Sequence, residues 1–315
     1  MRIAILDDYF DAALRLADWS PLQGRAEITV FTAHLGGEED VAKALADFEI
    51  VVAMRERTRL PGTLIRRLPK LRLLITTGQR NPSLDLEAAH AQHMTVCNTG
   101  SAGNSTAELA IGLMIALMRD IPGQFDSMRR GGWQTRPGTG LAGKTLGLLG
   151  LGRLGGEVAA VGNAFHMPVI AWSQNLTEQR AAECNARRVG KDELFHQADV
   201  LSIHLVLSER TRGIVGQREL DMMKPTAYLI NTSRGPIVDE GALLKTLQEK
   251  KIAGAALDVY GVEPLPKDHA VRTLDNVLLT PHLGYTITES LSKMYQDAVE
   301  DIVAFLDGKP VRVQA

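Results

Sequence analysis

Three ionisable side chains directly follow three successive apolar runs in the last third of the chain. The runs are Ala227–Asn231, Ala255–Val259 and Val277–Thr280, and the side chains after them are Arg234, Glu263 and His282. Unbroken apolar runs of this length predict buried strands of a parallel sheet, and ligands bind outside the carboxyl ends of such strands. One charged residue at a strand end is commonplace. A cation, a carboxylate and an imidazole at consecutive strand ends predict a catalytic site.

These side chain types suit the reduction of a carbonyl group beside a carboxylate. Histidine changes its charge near neutral pH, so His282 is predicted to give a proton to the carbonyl oxygen. A carboxylate beside an imidazole favours the charged ring and fixes its tautomer, which is the role predicted for Glu263. The planar guanidinium of Arg234 suits a substrate carboxylate because it donates two parallel hydrogen bonds. The pattern therefore favours hydride transfer to a small 2-oxo acid.

The glycine-rich segment Gly150-Leu-Gly-Arg-Leu-Gly155 fits the G-x-G-x-x-G pattern of dinucleotide-binding folds. It follows a predicted strand and begins a segment with helical spacing, as that pattern requires. We expect Gly150 to allow a tight turn, Gly152 to let the backbone approach a pyrophosphate, and Gly155 to permit close helix–strand contact. Free N–H groups at the helix N-terminus would attract the phosphates. The segment predicts that NAD or NADP is the cofactor.

The residues after the next strand leave the choice between NAD and NADP open. A carboxylate about 20 residues beyond the loop would bind the ribose 2′-OH of NAD. Ser173 stands there instead, followed by Gln and Asn, and Arg180 is the nearest arginine. Asp258, at the end of its strand, is expected to accept a hydrogen bond from the nicotinamide amide. A role in capping its own turn is a nearly equal alternative for Asp258.

Composition is that of an ordinary globular protein, with 45% hydrophobic residues, 23% charged residues and a net charge of −2. This charge gives no electrostatic case for nucleic acid or an anionic membrane. Cys97 and Cys184 make neither a disulfide framework nor a metal motif, so no metal is predicted. The first apolar run is too short for a signal peptide, and the longest is too short to cross a bilayer. We therefore expect a cytoplasmic protein.

Short apolar runs alternate with helical spacing along the chain, which predicts an α/β fold with two doubly wound parallel sheets. A length of 315 residues agrees with two domains. Other predicted strands are Ile3–Leu6, Ile50–Ala53, Leu71–Thr76, Thr145–Leu149, Val169–Trp172 and Val200–Leu205. Helices are predicted around 39–47, 61–67, 84–92, 153–165 and Ile287–Leu306, the last with a capping box of Thr286 and Glu289. A helix near 107–118 is apolar all round, so we expect burial against a second domain or subunit.

Five ordered segments of the chain resemble the D-isomer-specific 2-hydroxyacid dehydrogenase family, which includes phosphoglycerate, glycerate and hydroxypyruvate/glyoxylate reductases. The segments are 141–155, 231–240, 254–259, 263–266 and 280–284. The resemblance covers nearly the whole chain and implies a substrate of D configuration. It implies a Rossmann-type dinucleotide-binding domain, residues 101–283, inserted into a flavodoxin-like substrate domain, residues 1–100 and 284–315. It also implies a homodimer, which agrees with the apolar helix.

The resemblance carries over to single residues. It makes Arg234, Glu263 and His282 the catalytic set. The implied cofactor contacts are Thr106, Gly150, Gly152, Arg153, Leu154, Gly155, Ser173, Leu205, Thr232, Ser233, Asp258 and His282.

Substrate binding is expected to involve a loop of the first domain that, in the family, presents backbone N–H groups to the substrate carboxylate. The matching loop contains Gly78, Gln79 and Arg80. Arg80 stands where a second small residue is common in the family. It would either reshape the pocket or point to solvent. Arg55, after the strand 50–53, and Arg234 complete the predicted substrate-binding set.

Two alternatives to a 2-hydroxyacid dehydrogenase stay open at this stage. The same arginine, glutamate and histidine would serve the oxidation of another small anion, such as phosphite. A dinucleotide-sensing binding protein of the same fold, such as a transcriptional corepressor, would also keep these residues. The absence of a recognisable basic patch counts against the sensor, and turnover of any 2-oxo acid would exclude a purely sensory role.

Overall fold

The computed structural model describes residues 1–79 and 81–314 and confirms the α/β class with two parallel sheets. The chain divides into two compact units. Unit 1 contains Met1–Gly103 and Thr286–Ala315, and unit 2 is the continuous segment Asn104–Tyr285. Each unit has its own sheet and its own hydrophobic core.

The described strands and helices are as follows. The strands are β1 Arg2–Ile5, β2 Glu27–Val30, β3 Ile50–Ala53, β4 Leu73–Thr76, β5 Thr95–Asn98, β6 Leu146–Leu149, β7 Val169–Trp172, β8 Arg187–Arg188, β9 Val200–Ile203, β10 Tyr228–Asn231, β11 Gly254–Leu257 and β12 Val277–Leu279. The helices are α1 Ala13–Leu16, α2 Glu38–Leu45, α3 Gly62–Ile65, α4 Leu86–Ala91, α5 Ser105–Met118, α6 Ile121–Arg129, α7 Arg153–Ala164, α8 Glu178–Glu183, α9 Lys191–Gln197, α10 Gln217–Asp221, α11 Glu240–Gln248 and α12 Thr288–Leu306. Short 3-10 turns lie at Ser20–Leu22, Gly235–Ile237 and Ala270–Thr273.

Unit 1 is built on a parallel sheet with the strand order β2-β1-β3-β4-β5. Strands β3 and β4 are buried at every position, because helices cover both faces of the sheet. Helix α12 returns from the end of the chain to pack against α1 and β4. Because both faces of these central strands are buried, their sequences are unbroken apolar runs and do not alternate between apolar and polar residues.

Unit 2 is built on a parallel sheet with the order β12-β11-β10-β9-β6-β7-β8. The chain runs outward in one direction from β6 to β8, then returns to the other side of β6 to place β9 and the strands after it. The direction of winding therefore reverses between β6 and β9. In open α/β sheets, ligands bind at the carboxyl ends of the strands beside such a reversal. The glycine-rich segment lies directly after β6.

Most predicted strands lie where the apolar runs indicated, and the bounds of β3 and β7 match the prediction. The elements that were not predicted are the strands β2, β5 and β8 and the helices α1, α6, α8, α9, α10 and α11. The capping box proposed for α12 is wrong in its position: the N-cap is Ile287, which makes no side-chain cap hydrogen bond. The helix begins one residue later than a threonine cap at Thr286 would require.

Helix α5 is apolar all round, as expected, but its environment differs from the prediction. Its buried side chains pack within unit 2, against α7 and the strands β10 and β11, so they do not need a second domain, and packing of the helix against a second subunit stays a prediction. These side chains are Ala107, Ala110, Leu113, Met114 and Met118. Within residues 1–79 and 81–314, none of the helices combines the length and the apolar character needed to cross a bilayer.

Candidate active site

The loop between β6 and α7 has the geometry that its glycines predict. Gly150 adopts a φ of 106°, a conformation that L side chains rarely adopt. Its N–H donates to the carbonyl oxygen of Trp172 at 2.9 Å, which ties the loop to β7. A Cβ atom added to Gly155 would collide with the carbonyl oxygen of Gly150, whereas a Cβ added to Gly152 meets no protein atom within 4 Å. The protein therefore requires glycine at 150 and 155, while the space above Gly152 is free for a ligand.

The surroundings of this loop fit a dinucleotide. A Cβ added to Gly150 would lie 3.1 Å from Cδ2 of Leu205, so Leu205 borders the loop, and its contact with the cofactor stays a prediction. Thr232 is only 5% exposed, and its Oγ1 has no hydrogen-bond partner among the described residues. Buried hydroxyl groups in proteins are almost always paired, so an unpaired one suggests a missing ligand or water. Ser173, at the end of β7, is half-buried and available to a ribose.

Several other predicted cofactor contacts already have protein partners. The hydroxyl of Thr106 donates to the carbonyl oxygen of Gly284, and that of Ser233 to Ile203, both at 2.8 Å. Arg153, at the start of α7, donates to the side-chain oxygen of Asn104. Leu154 is half-buried in the first turn of α7. The cofactor contacts of these residues stay predictions.

The structure brings Glu263 and His282 into direct contact. Oε2 of Glu263 lies 2.6 Å from Nδ1 of His282, and Oε1 accepts the backbone N–H of Tyr260 at 2.8 Å. The two side chains are 30% and 19% exposed, so each is reachable from solvent. The imidazole also meets the ring of Tyr285 edge-on, with centroids 5.7 Å apart. With Nδ1 bound to the carboxylate, Nε2 is the nitrogen left for proton transfer.

Asp258 holds the loop that carries His282. It is fully buried, and its Oδ1 accepts from Oγ1 of Thr280 at 2.6 Å and from the N–H of Leu283 at 2.7 Å. Its Oδ2 accepts the N–H of Gly284 at 2.9 Å. Burial raises the pKa of Asp258, and these hydrogen bonds oppose that increase. The observed contacts are those of the capping alternative, and a hydrogen bond from the nicotinamide stays a prediction.

Arg234 lies after β10, the neighbour of β11 in the sheet. Its Nη1 donates to the carbonyl oxygen of Ser233 at 2.7 Å, and its own carbonyl oxygen accepts from Nδ2 of Asn231 at 3.1 Å. A Cβ atom added to the next residue, Gly235, would collide with the backbone of Tyr260. This close approach places the Arg234 loop against the loop that leads to Glu263.

The predicted substrate-binding residues of unit 1 are placed at the ends of β3 and β4. Arg55 has a φ of 52° and Gly78 a φ of 86°, and a Cβ atom added to Gly78 would collide with the Arg55 guanidinium. The N–H of Gly78 donates to Oγ1 of Thr99 at 2.9 Å, so this N–H is already paired. Gln79 is exposed. Arg80 lies outside the described residues.

His204 is a residue of this region that the sequence did not single out. It follows β9, its N–H donates to Leu149 at 2.8 Å, and its Nε2 lies 2.9 Å from Oγ of Ser202. Burial lowers its pKa to about 4, so the ring is neutral at physiological pH. Its backbone supports the loop, because a Cβ added to Gly150 would lie 2.8 Å from the His204 carbonyl carbon. A histidine at the strand end next to the glycine-rich loop was the available signal.

No metal centre accompanies these groups in the described part of the chain. Among residues 1–79 and 81–314, no set of three or more His, Cys, Asp or Glu side chains is arranged to hold a metal ion. Cys97 and Cys184 are both free thiols.

Comparison with known proteins gives close relatives along most of the chain. A glyoxylate reductase of Aeropyrum pernix is 38% identical over 261 residues, which cover 80% of this chain and 78% of the relative. A D-3-phosphoglycerate dehydrogenase of Methanocaldococcus jannaschii is 34% identical over 313 residues, which cover 98% of this chain. The match spans only 58% of that dehydrogenase.

Solved structures of similar sequence have the same fold as this chain. The crystal structure of a phosphoglycerate oxidoreductase from Vibrio cholerae is 37% identical, with a TM-score of 0.93 over 98% of this chain and 99% of that chain. An acyclic imino acid reductase in complex with NADPH and D-Arg is 27% identical, with a TM-score of 0.75 over the full length of both chains. The family model described as D-isomer specific 2-hydroxyacid dehydrogenase, NAD binding domain, matches residues 111–284. The glycine-rich loop and the Glu263–His282 pair both lie within that match, and the chain belongs to the D-isomer specific 2-hydroxyacid dehydrogenase family.

Proposed function

We propose that this protein is an NAD(P)-dependent oxidoreductase that transfers a hydride between nicotinamide and a small 2-hydroxy or 2-oxo acid of D configuration. The observation that carries the proposal is the 2.6 Å contact between Glu263 and His282 in the unit that holds the dinucleotide loop. The names of the relatives favour this chemistry over phosphite oxidation and over a sensor. The cofactor is NAD or NADP, because the family model is that of an NAD binding domain.

Three residues of unit 2 have separate roles in the proposed reaction. Bound nicotinamide supplies the hydride in reduction and accepts it in oxidation. Nε2 of His282 gives a proton to the carbonyl oxygen in reduction and takes the hydroxyl proton in oxidation. Glu263 holds the ring through Nδ1 and fixes its orientation and tautomer. Arg234 binds the substrate carboxylate and orients the carbonyl carbon.

Unit 1 has the complementary role in the proposal. We assign residues 1–100 and 284–315 to a substrate domain and residues 101–283 to a dinucleotide-binding domain. The Arg55 guanidinium beside Gly78 supports an anion-binding function at the ends of β3 and β4. Gln79 and Arg80 belong to the same predicted substrate-binding loop.

The proposal is tested by oxidation of NADH and NADPH with a panel of 2-oxo acids, from glyoxylate and hydroxypyruvate to branched, aromatic and phosphorylated acids. We expect a clear rate with one or a few of them. His282→Ala should lower kcat by about 10²–10⁴-fold while the dissociation constant of the dinucleotide stays within about twofold. His196→Ala is the matched control, because that imidazole is exposed on α9. Binding of dinucleotide without turnover of any acid, or full activity of His282→Ala, would contradict the proposal.

We also propose that the working form is a homodimer. Ile121, Phe125 and Met128 of α6 are 50%, 58% and 53% exposed, and Trp133 beyond the helix is 70% exposed. Apolar clusters of this kind on a surface are typical of interaction sites. Light scattering should give twice the chain mass, and Phe125→Glu should give the single-chain mass. A monomeric parent protein would refute the assignment.

Location and partners follow from charge and cysteine use. Two free thiols favour a reducing compartment, and we propose the cytoplasm. A net charge of −2 gives no support for binding nucleic acid, so we propose a small-molecule substrate alone. Retention on DNA-cellulose at moderate salt would contradict the second statement.

A further inference from the structure

Arg180 of α8 reaches back to the dinucleotide loop. Its Nε donates to the carbonyl oxygen of Leu151 at 3.1 Å, and its Nη2 donates to that of Gly152 at 3.2 Å. The guanidinium also packs on the first turn of α7, since a Cβ atom added to Gly156 would lie 2.8 Å from Nη2. In sequence, Arg180 is well separated from the loop. In the fold, its charge lies on the loop itself.

The end of β7 carries no carboxylate to oppose an anion. Ser173 is followed by the exposed amides of Gln174 and Asn175. In this fold a carboxylate at the strand end binds the ribose hydroxyls of NAD, and it would repel a 2′-phosphate by charge. An arginine near this position instead accommodates the 2′-phosphate of NADP. The chain therefore has a neutral strand end and a cation held on the adjacent loop.

Nearby carboxylates do not cancel this cation. Glu183 contacts Nη1 of Arg180 at 3.3 Å, but the two side chains are 51% and 41% exposed, and exposed pairs are weak. Glu178 is paired with Arg188 at 3.0 Å. Glu157 is exposed on α7. A phosphate with a charge near −2 binds a guanidinium through two parallel hydrogen bonds. This interaction is stronger than the exposed Arg180–Glu183 pair, which has one contact, so the phosphate would displace Glu183.

We propose that Arg180 selects a 2′-phosphate at the adenosine end of the cofactor site, so that this chain prefers NADP(H) to NAD(H). This inference rests on the proposed function, because it requires a dinucleotide at the loop. The contacts to Leu151 and Gly152 use Nε and one hydrogen of Nη2. A guanidinium has five N–H donors, so donors of Nη1 and Nη2 are left for the phosphate once Glu183 is displaced.

The test is direct binding, independent of turnover. Titration of the protein with NADPH and NADH, followed by dinucleotide fluorescence, should show tighter binding of NADPH by about tenfold or more. Calorimetry should likewise show that adenosine 2′,5′-bisphosphate, which carries the 2′-phosphate, binds more tightly than AMP, which lacks it. Arg180→Gln should weaken the binding of NADPH by about tenfold or more beyond any change in the binding of NADH, which removes the advantage of NADPH. Arg188→Gln is the matched control, because it removes an exposed arginine of the same unit.

Glu183→Gln provides a variant that leaves Arg180 in place. It removes the competing carboxylate, so NADPH should bind more tightly while NADH is unaffected. Equal or tighter binding of NADH by the parent protein would overturn the assignment of Arg180 and leave the proposed function intact. Equal loss of both dinucleotides in Arg180→Gln would show that the arginine only supports the loop. Failure of the parent to bind either dinucleotide would overturn the proposed function itself.

Discussion

The neutral, half-buried imidazole of His204 makes the stability of unit 2 sensitive to acid. Burial lowers the pKa of His204 from 6.5 to about 4. Below pH 6.5 the unfolded chain therefore binds a proton at this residue that the folded chain does not bind. Stability from this group is complete above pH 6.5 and is lost as the pH falls toward 4.

The size of the effect follows from the two pKa values. Each pH unit between 6.5 and about 4 corresponds to about 1.4 kcal/mol, which gives a total of about 3 kcal/mol. At pH 5 about 2 kcal/mol of this total is already lost. These figures are upper bounds, because His204 keeps an intermediate exposure that reduces the penalty of charging the ring. A loss of this size is a large part of the stability of an ordinary domain, which is about 5–15 kcal/mol.

The assay is urea unfolding at pH 7 and at pH 5, followed by tryptophan fluorescence, in which the half-buried Trp172 reports unit 2 and the half-buried Trp19 reports unit 1. Between the two pH values the parent should lose up to about 2 kcal/mol more than His204→Gln, which cannot take a proton. The difference in unfolding free energy between pH 7 and pH 5 is taken for each protein separately, so any loss of stability that the substitution causes at both pH values cancels. His196→Gln, at the surface of α9, should follow the parent. If the parent and His204→Gln lose the same unfolding free energy between pH 7 and pH 5, protonation of His204 does not cause the sensitivity to acid.

Four further predictions concern the catalytic pair, its supporting aspartate and two glycines of the loop. Glu263→Gln removes the charge beside His282, so kcat should fall by about 10–100-fold in steady-state assays, and an unchanged kcat would contradict the pair. Asp258→Asn cannot accept all the N–H groups of the His282 loop, so kcat should fall about tenfold with dinucleotide affinity nearly unchanged. Loss of dinucleotide affinity there would support the nicotinamide contact instead. Gly152→Val should abolish dinucleotide binding in titrations while unfolding free energy changes by less than about 1 kcal/mol. Gly155→Ala should cost about 1–3 kcal/mol in the same unfolding measurement, because its Cβ collides with Gly150.

The central strands could be predicted from sequence because burial on both faces leaves a simple pattern. Strands such as β3 and β7 are unbroken apolar runs, and their bounds follow directly. The strands that were missed lack this pattern. β2 is partly exposed along its length, and β8 has two exposed arginines that pair only with β7. For these strands, pairing with a neighbour decides the structure, and the local sequence does not show the neighbour.

The site was predictable to the extent that it lies at strand ends. Glu263 and His282 follow β11 and β12, which are adjacent in the sheet, so a contact between them could be inferred. The cofactor side was harder, because Arg180 reaches the loop from a helix whose direction the sequence does not give. The role of Asp258 was also undecided, since two of its three partners are backbone N–H groups that any sequence would supply.

The insertion of unit 2 into unit 1 has a consequence for folding during synthesis. Unit 1 is complete only when α12 packs on α1 and β4, and when Val313 forms a β-bridge with Cys97. These parts leave the ribosome after the whole of Asn104–Tyr285. At about 5–20 residues per second, the first sheet waits on the order of ten seconds or more for its last helix. The unit that is synthesised first is therefore finished last, and during that interval its uncovered apolar face is the part of the nascent chain that a chaperone would protect.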